Sequence, residues 1–266
     1  CLTRIGTSRS TIGWSGTELV SYRQPWPDWS ETVILCGSSG GAIHDVKTWP
    51  DSYPRMADLI PRGEDGHFRV IHFTLTKTRL LHRGRTQFFT ADPGTYAALL
   101  VDLPKPDMET LHMERPSICM MSDVSCERQD HDEFYRNASG DVLIAGLGLG
   151  MIATACARKP SVKSVTVLEL CSSVMRLVLP YLEKVEEFKQ KVVVVQADAR
   201  RWQTDRKFDA VWLDIWPNIS RRYRRQYKRM ETNYSAFLKP GGYIGLWAYD
   251  LIGGRGGVKR VRAGAG

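Results

Sequence analysis

From residue 140 onward the chain alternates short unbroken apolar runs with longer stretches whose apolar positions recur every three or four residues. The runs are VLIA at 142–145, VTVL at 165–168, KVVVV at 191–195, FDAVWL at 208–213 and YIGLW at 243–247. Unbroken runs of this length are what a parallel strand needs when both of its faces are buried. Between them, 151–157, 172–187 and 220–237 suit helices, the second interrupted at Pro180. Strands alternating with helices predict an open, doubly wound, mainly parallel α/β sheet. Gly241-Gly242 predicts a turn before the fifth strand, and DLIGGRGGVKRVRAGAG at the end is too rich in glycine for further strands. The sheet is therefore expected to be truncated after strand five.

Ahead of residue 116 the pattern changes. Segments 68–75, 85–90 and 96–101 read as strands with HRGR and DPG as turns, and 118–121 reads as an edge strand. Residues 1–60 hold two short strand candidates, 18–23 and 32–36, and Trp14, Trp26, Trp29 and Trp49 among Pro, Gly and Ser; 104–116 reads as a linker. The expected organisation is a smaller β-rich or mixed region over 1–115, the sheet domain over 116–251, and a flexible, basic, glycine-rich tail over 252–266.

The stretch 140–169 organises the rest. Its first strand ends in Gly146, Gly148 and Gly150, a small-residue helix follows, and the second strand ends on Glu169. Strand, glycine turn, helix, strand and acid form the layout of a nucleotide-binding βαβ unit. The glycines let the backbone approach a ligand closely, and a terminal acid can accept hydrogen bonds from both ribose hydroxyls. The third and fourth strands also end in acids, Asp198 followed by Ala199, and Asp214 followed by Ile-Trp-Pro. Ligands of open α/β sheets bind outside the carboxyl ends of the strands. These ends thus converge on one expected site.

Composition adds limits. No run approaches the ~20 apolar residues of a membrane helix, and CLTRIGTSRS lacks the charged-then-apolar pattern of a signal peptide; the start without Met suggests a fragment or a processed chain. The six cysteines form no CxxC pair and read as reduced thiols of a cytoplasmic protein. His67, His72 and His82 match no tight ligand spacing, so no metal is expected. Of 37 Lys and Arg and 29 acids, eleven bases but only two acids lie from Ile219 onward, so the net charge of +8 belongs to the C-terminal quarter. Its densest part is ISRRYRRQYKR, which reads either as the solvated face of an amphipathic helix or as a nucleic-acid contact through 221–229.

Dinucleotide sites use G-x-G-x-x-G, whereas here the spacing is G-x-G-x-G with Met151 in the place of the third glycine. This spacing, with Glu169 and Asp198, resembles the class I S-adenosylmethionine-dependent transferases and their Rossmann-like sheet. The resemblance implies that Glu169 binds ribose, that Asp198 and its neighbour Ala199 lie at the adenine, and that Asp214 faces the reactive end of the cofactor. Over 118–247, about half of the chain, the spermidine synthase group is the most similar branch. DVSCERQDHDEF resembles its LDG…Q…RDEF segment, KPSVKSVTVLE its approach to strand two, and FDAVWLD its strand four.

The departures concern the amine site of that group. Leu149 stands where the group has an Asp for the amine of the cofactor's propyl chain. Val124 and Glu127 replace Gly and Gln, Arg136-Asn137 replaces Tyr-His, and the second Asp after strand four is absent. The first expectation is accordingly an S-adenosyl-L-methionine-dependent methyltransferase with a small-molecule acceptor, Asp214 being the catalytic candidate. Asp123, Glu127, Asp132 and Trp216 are the acceptor or lid candidates. The alternative is a polyamine aminopropyltransferase using the decarboxylated cofactor, with Asp214 as base. A third reading is a cofactor- or nucleic-acid-binding protein without catalysis. No membrane contact is expected, and oligomerisation is left open.

Overall fold

The computed structural model describes residues 53–76, 79–83, 87–91, 93–102, 117–217, 220–249 and 258–260. The strand candidates at 18–23 and 32–36, the four early tryptophans and the linker 104–116 lie outside the described residues.

The core is a six-stranded sheet formed by β7 (Gly140–Ala145), β8 (Val162–Glu169), β9 (Val192–Gln196), β10 (Phe208–Leu213), β11 (Leu238–Leu246) and β12 (Val258–Arg260). Its order is β12-β11-β10-β7-β8-β9. The five strands from β11 to β9 run parallel, and β12 is antiparallel to β11, with Tyr243 opposite Arg260. The glycine-rich end therefore does add a strand, correcting the expected stop at strand five. Three residues suffice because a β-edge needs only backbone hydrogen bonds from its partner.

From β7 the chain steps outward to β8 and β9, then returns to lay β10 and β11 on the other side of β7. Right-handed crossovers on the outward run place α3 (Met151–Arg158), α4 (Ser172–Leu182) and α5 (Glu186–Lys191) on one face. Reversing direction places α6 (Arg224–Ser235) on the other. The side chains follow with a period of two. Val142, Ile144, Val165, Val167, Ala210 and Trp212 pack with α3, α4 and α5. Leu143, Ala145, Leu168, Val211 and Leu213 pack with Tyr227, Met230 and Tyr234 of α6. Pro180 lies inside α4, two residues before its end, so the helix stops just beyond it. Cys156 of α3 is buried, and burial pushes its thiol up to about 12. Among the described residues no helix is long and apolar enough to cross a membrane.

Gly241-Gly242 is not a turn before β11 but lies within it. Phe208 pairs with Leu238 and Ala210 with Tyr243, so Lys239–Gly242 is looped out as extra residues. The irregularity lets Lys239 Nζ reach Asp141 at 2.8 Å and Asp209 at 2.7 Å, joining three strands. That hydrogen bond holds the Asp141 carboxyl below its usual range.

The N-terminal region is an antiparallel sheet of order β1-β2-β5-β6, comprising β1 (Gly63–Asp65), β2 (Phe68–Leu75), β5 (Gly94–Asp102) and β6 (Ser117–Ser122), with the β3–β4 ribbon (Arg79–Arg83, Gln87–Ala91) beside it. β6 pairs with β5. The backbone of β6 is thus satisfied by the antiparallel sheet. Two links fasten the layers. Arg176 of α4 makes a two-pronged bond to Asp65 (2.7 and 2.8 Å). Asp123, fully buried, accepts from the backbone N–H groups of Met56 (2.6 Å), Ala57 (3.3 Å) and Ala97 (2.7 Å). It thereby joins α1 (Met56–Leu59) and β5 to α2 (Ser125–Asn137).

Asp123→Ala should lose roughly 3 kcal/mol in urea unfolding, since buried N–H donors are left without an acceptor, and Asp123→Asn should recover part of it. A second outcome concerns acid. A carboxyl with a lowered folded pKa adds stability above its unfolded value, near 4, and loses it as pH falls through the folded value. Lys239→Met should therefore cost under about 1 kcal/mol near neutrality, the bridge being half exposed. Unfolding measured across pH should show this difference shrink below about pH 4.

Candidate functional site

At the C-terminal ends of β7, β8, β9 and β10 lies a cleft of about 450 Å³. β7 and β10 are neighbours from which the chain departs in opposite directions, and that divergence opens the cleft. Its floor includes Gly146, Gly148, Glu169, Asp198, Ala199, Asp214 and Trp216, so most of the residues expected at the site are brought together. Its roof is apolar and comes from the N-terminal sheet: Phe68 of β2, Leu99 of β5, and Met120 and Met121 of β6.

The glycines differ in what they do. Gly146 has φ 101°, and a Cβ there would land on the carbonyl oxygen of Asp214. Gly148 has φ 53°, and a Cβ would land on the Met121 sulfur. Gly150 does not line the cleft; it precedes α3 with φ 76° and packs against Leu182. Leu149 between them is fully buried in the core under α3.

Glu169 is held by two backbone donors, Leu147 N–H at 2.9 Å and Cys171 N–H at 2.7 Å. It ties the glycine turn to the end of β8 and keeps lone pairs for further donors. Asp198 accepts a two-pronged bond from Arg200 (2.8 and 2.9 Å), which holds its carboxyl below the usual range. Asp214 is anchored by its N–H to Ala145 O at 2.8 Å, and its carboxylate lies 3.8 Å from Nε2 of His131. Trp216 donates from Nε1 to Gln226 at 3.2 Å and stacks on Tyr227, which stacks on Tyr249.

Asp123, Glu127 and Asp132, expected as acceptor or lid residues, do not line the cleft. Asp123 is the buried link described above, and Asp132 pairs with Arg136 at 2.6 Å. The helical period is the reason: the buried face of α2 carries Arg128, His131 and Phe134, three residues apart. His131 is the member of that face that reaches the cleft. It is buried, meets Trp212 edge to face, and among the described residues its Nδ1 has no hydrogen-bond partner. Its spacing of three from Phe134 was the available signal. Leu170, 57 % exposed in the cleft wall, was also missed, since an apolar residue after a strand has no distinctive pattern. Among the described residues no group of three His, Cys, Asp or Glu could hold a metal ion. His72 instead bonds Ile60 O at 2.7 Å.

No protein-family model matches the chain, and no curated protein does. Solved structures do. The glycopeptide N-methyltransferase MtfA complexed with S-adenosyl-L-methionine is 22 % identical over 45 % of this chain and 48 % of its own, with a TM-score of 0.37. A DhpI–SAM–HEP complex is 21 % identical over 46 % and 53 %, TM-score 0.36. TrmN from Thermus thermophilus is 19 % identical over 45 % and 36 %, TM-score 0.37. The chain thus spans about half the length, or less, of the structures it matches. Likeness of this extent assigns it neither a substrate nor an activity.

Gly146→Ala should destabilise more than Gly148→Ala in thermal unfolding. The first sets a Cβ against backbone, with roughly 1–3 kcal/mol of conformational strain besides; the second meets a thioether able to swing away. Equal losses would mean that the end of β10 yields.

Proposed function

We propose that the cleft binds S-adenosyl-L-methionine and that the protein is a methyltransferase on a spermidine-synthase-like framework. The observation supporting this is the convergence of Gly146, Gly148, Glu169, Asp198 and Asp214 in one cleft at the strand ends where β7 and β10 diverge. The residues present suit the cofactor. Gly146 and Gly148 line the cleft with bare backbone, the direction of each missing Cβ being taken by the Asp214 carbonyl and the Met121 sulfur. Glu169 is held by two N–H donors with lone pairs left for the ribose hydroxyls. Leu170 and Ala199 offer apolar surface to the adenine beside Asp198. The volume of about 450 Å³ lies in the ordinary range for such ligands.

Bound there, S-adenosyl-L-methionine supplies a methyl group on a cationic sulfonium. The chain's own part is orientation. Phe68, Leu99, Met120 and Met121 give the cleft an apolar wall opposite the strand ends. Asp214, fixed to β7 through its backbone, presents a carboxylate beside Trp216 and Pro217 that orients the acceptor and takes a hydrogen bond from it. Asp214 is the catalytic residue of this reading, and Trp216 the acceptor-side wall.

Methyl transfer is preferred to aminopropyl transfer for two reasons. The place of the expected propylamine carboxylate is Leu149, which is core. The acids of α2, which a polycationic amine would need, lie outside the cleft, while Arg200 brings a cation into it.

Calorimetric titration with S-adenosyl-L-methionine and its decarboxylated form tests both choices. The carboxylated form should bind at least about tenfold tighter, a difference of about 1.4 kcal/mol. Glu169→Ala should weaken it by at least about the same factor. Preference for the decarboxylated form would reverse the choice of reaction, and binding of neither would sink the cofactor reading.

A further inference from the structure

We infer that the acceptor is a single-stranded nucleic acid, docked on the basic rim that α6 and the 3-10 turn before it (Arg221–Tyr223) raise beside the cleft. What happens inside the cleft rests on the methyltransferase reading; the docking surface does not. Arg221, Arg222, Arg224, Arg225, Lys228 and Arg229 are all exposed, and among the described residues none of them forms an ion pair. The opposite face of the helix, Tyr227, Met230 and Tyr234, is buried. The helix is amphipathic as its period requires, yet that requirement asks only for polar residues outside. It does not account for six like charges there without an interleaved acid.

Their position makes the arrangement costlier. Four of the six lie in the 3-10 turn and the first turn of α6, and neither element has an acid in its first turn. The N-terminal end of a helix is its positive pole, where cations are unfavourable by a few tenths of a kcal/mol each. A local rule broken repeatedly on a surface, with no acidic partner among the described residues, points to a partner outside the protein. The complement of six clustered cations, four of them at a positive helix pole, is a row of phosphates.

The rim is continuous with the cleft. Tyr223 and Gln226 come from the same turns as the cations and line the cleft with Trp216 and Pro217. The Arg222 guanidinium lies over the Tyr223 ring, 4.6 Å from its centre. A strand following the cations therefore passes the mouth of the site, where the Arg222 guanidinium laid over the Tyr223 ring offers a planar cation for a base to stack on. The cleft is a recess, and a base paired within a duplex does not reach into one unless it is extruded. That geometry favours a single strand.

Fluorescence anisotropy on the full chain with a short single-stranded RNA, its DNA counterpart, a duplex of the same sequence and poly-glutamate tests the inference. A single strand should bind at least about tenfold tighter than the duplex. With about four phosphates engaged, the log–log salt slope should be near −3, a loss of roughly 50-fold between about 50 and about 200 mM salt. Combined Arg221→Gln, Arg224→Gln and Arg225→Gln should flatten the slope by about 2 and leave calorimetric affinity for S-adenosyl-L-methionine within about twofold, since none of the three lines the cleft. With methyl-labelled cofactor, label should pass to the strand. A flat salt response, equal binding of poly-glutamate, indifference to the triple substitution, or a strand that binds but takes up no label would each overturn the inference. Cofactor binding without strand binding would sink this inference alone, whereas strand binding without cofactor binding would sink the methyltransferase reading.

Discussion

The close approach of two strand ends, β7 and β10, is the constraint on which the site depends. Asp214 N–H donates to Ala145 O at 2.8 Å, and Gly146 N–H to Leu168 O at 2.8 Å, so three adjacent strands end in one hydrogen-bonded row. At that row the chain must turn away from β7 without touching the Asp214 carbonyl, and no side chain fits the gap. Gly146 is thus required by the neighbouring backbone before any ligand is considered. Once the turn is made, Leu147 N–H is free to hold Glu169, and the cleft follows.

The same row explains why carboxylates in this chain act so differently. Those at strand ends, Glu169, Asp198 and Asp214, sit where the backbone opens into the cleft. Asp123 sits between layers, where three N–H groups have no other acceptor, and becomes a joint. Asp141 and Asp209 sit at the opposite end of the sheet and serve Lys239. An acid's work here is set by which unpaired donors surround it, which depends on the packing of remote segments.

The N-terminal sheet belongs to the site as much as the parallel sheet does. Phe68, Leu99, Met120 and Met121 come from strands far from the glycine turn in sequence, yet they line the same cleft. The sheet is held in that position by Asp123 and by the Arg176–Asp65 pair. The roof is therefore as well placed as those contacts are firm.

Reading the residues in order reached the five parallel strands, the three acids at their ends and the glycine turn, because each is a local pattern: an unbroken apolar run, a small residue, a charge at the boundary. Gly150 was grouped with the other two glycines because spacing cannot distinguish a glycine facing a ligand from one facing Leu182. The acids of α2 looked like a lid because they are dense, although the helical period turns Arg128, His131 and Phe134 inward instead. The short β12 and the looped-out residues of β11 were illegible, since both exist only through pairing with a distant strand. The sequence by itself thus determined the five parallel strands and the acids and glycines at their carboxyl ends, all consequences of hydrophobic period and backbone sterics. Only the tertiary structure decided which acids face the cleft, what roofs it and that the basic turn stands at its rim, because those depend on contacts between segments that local pattern does not encode.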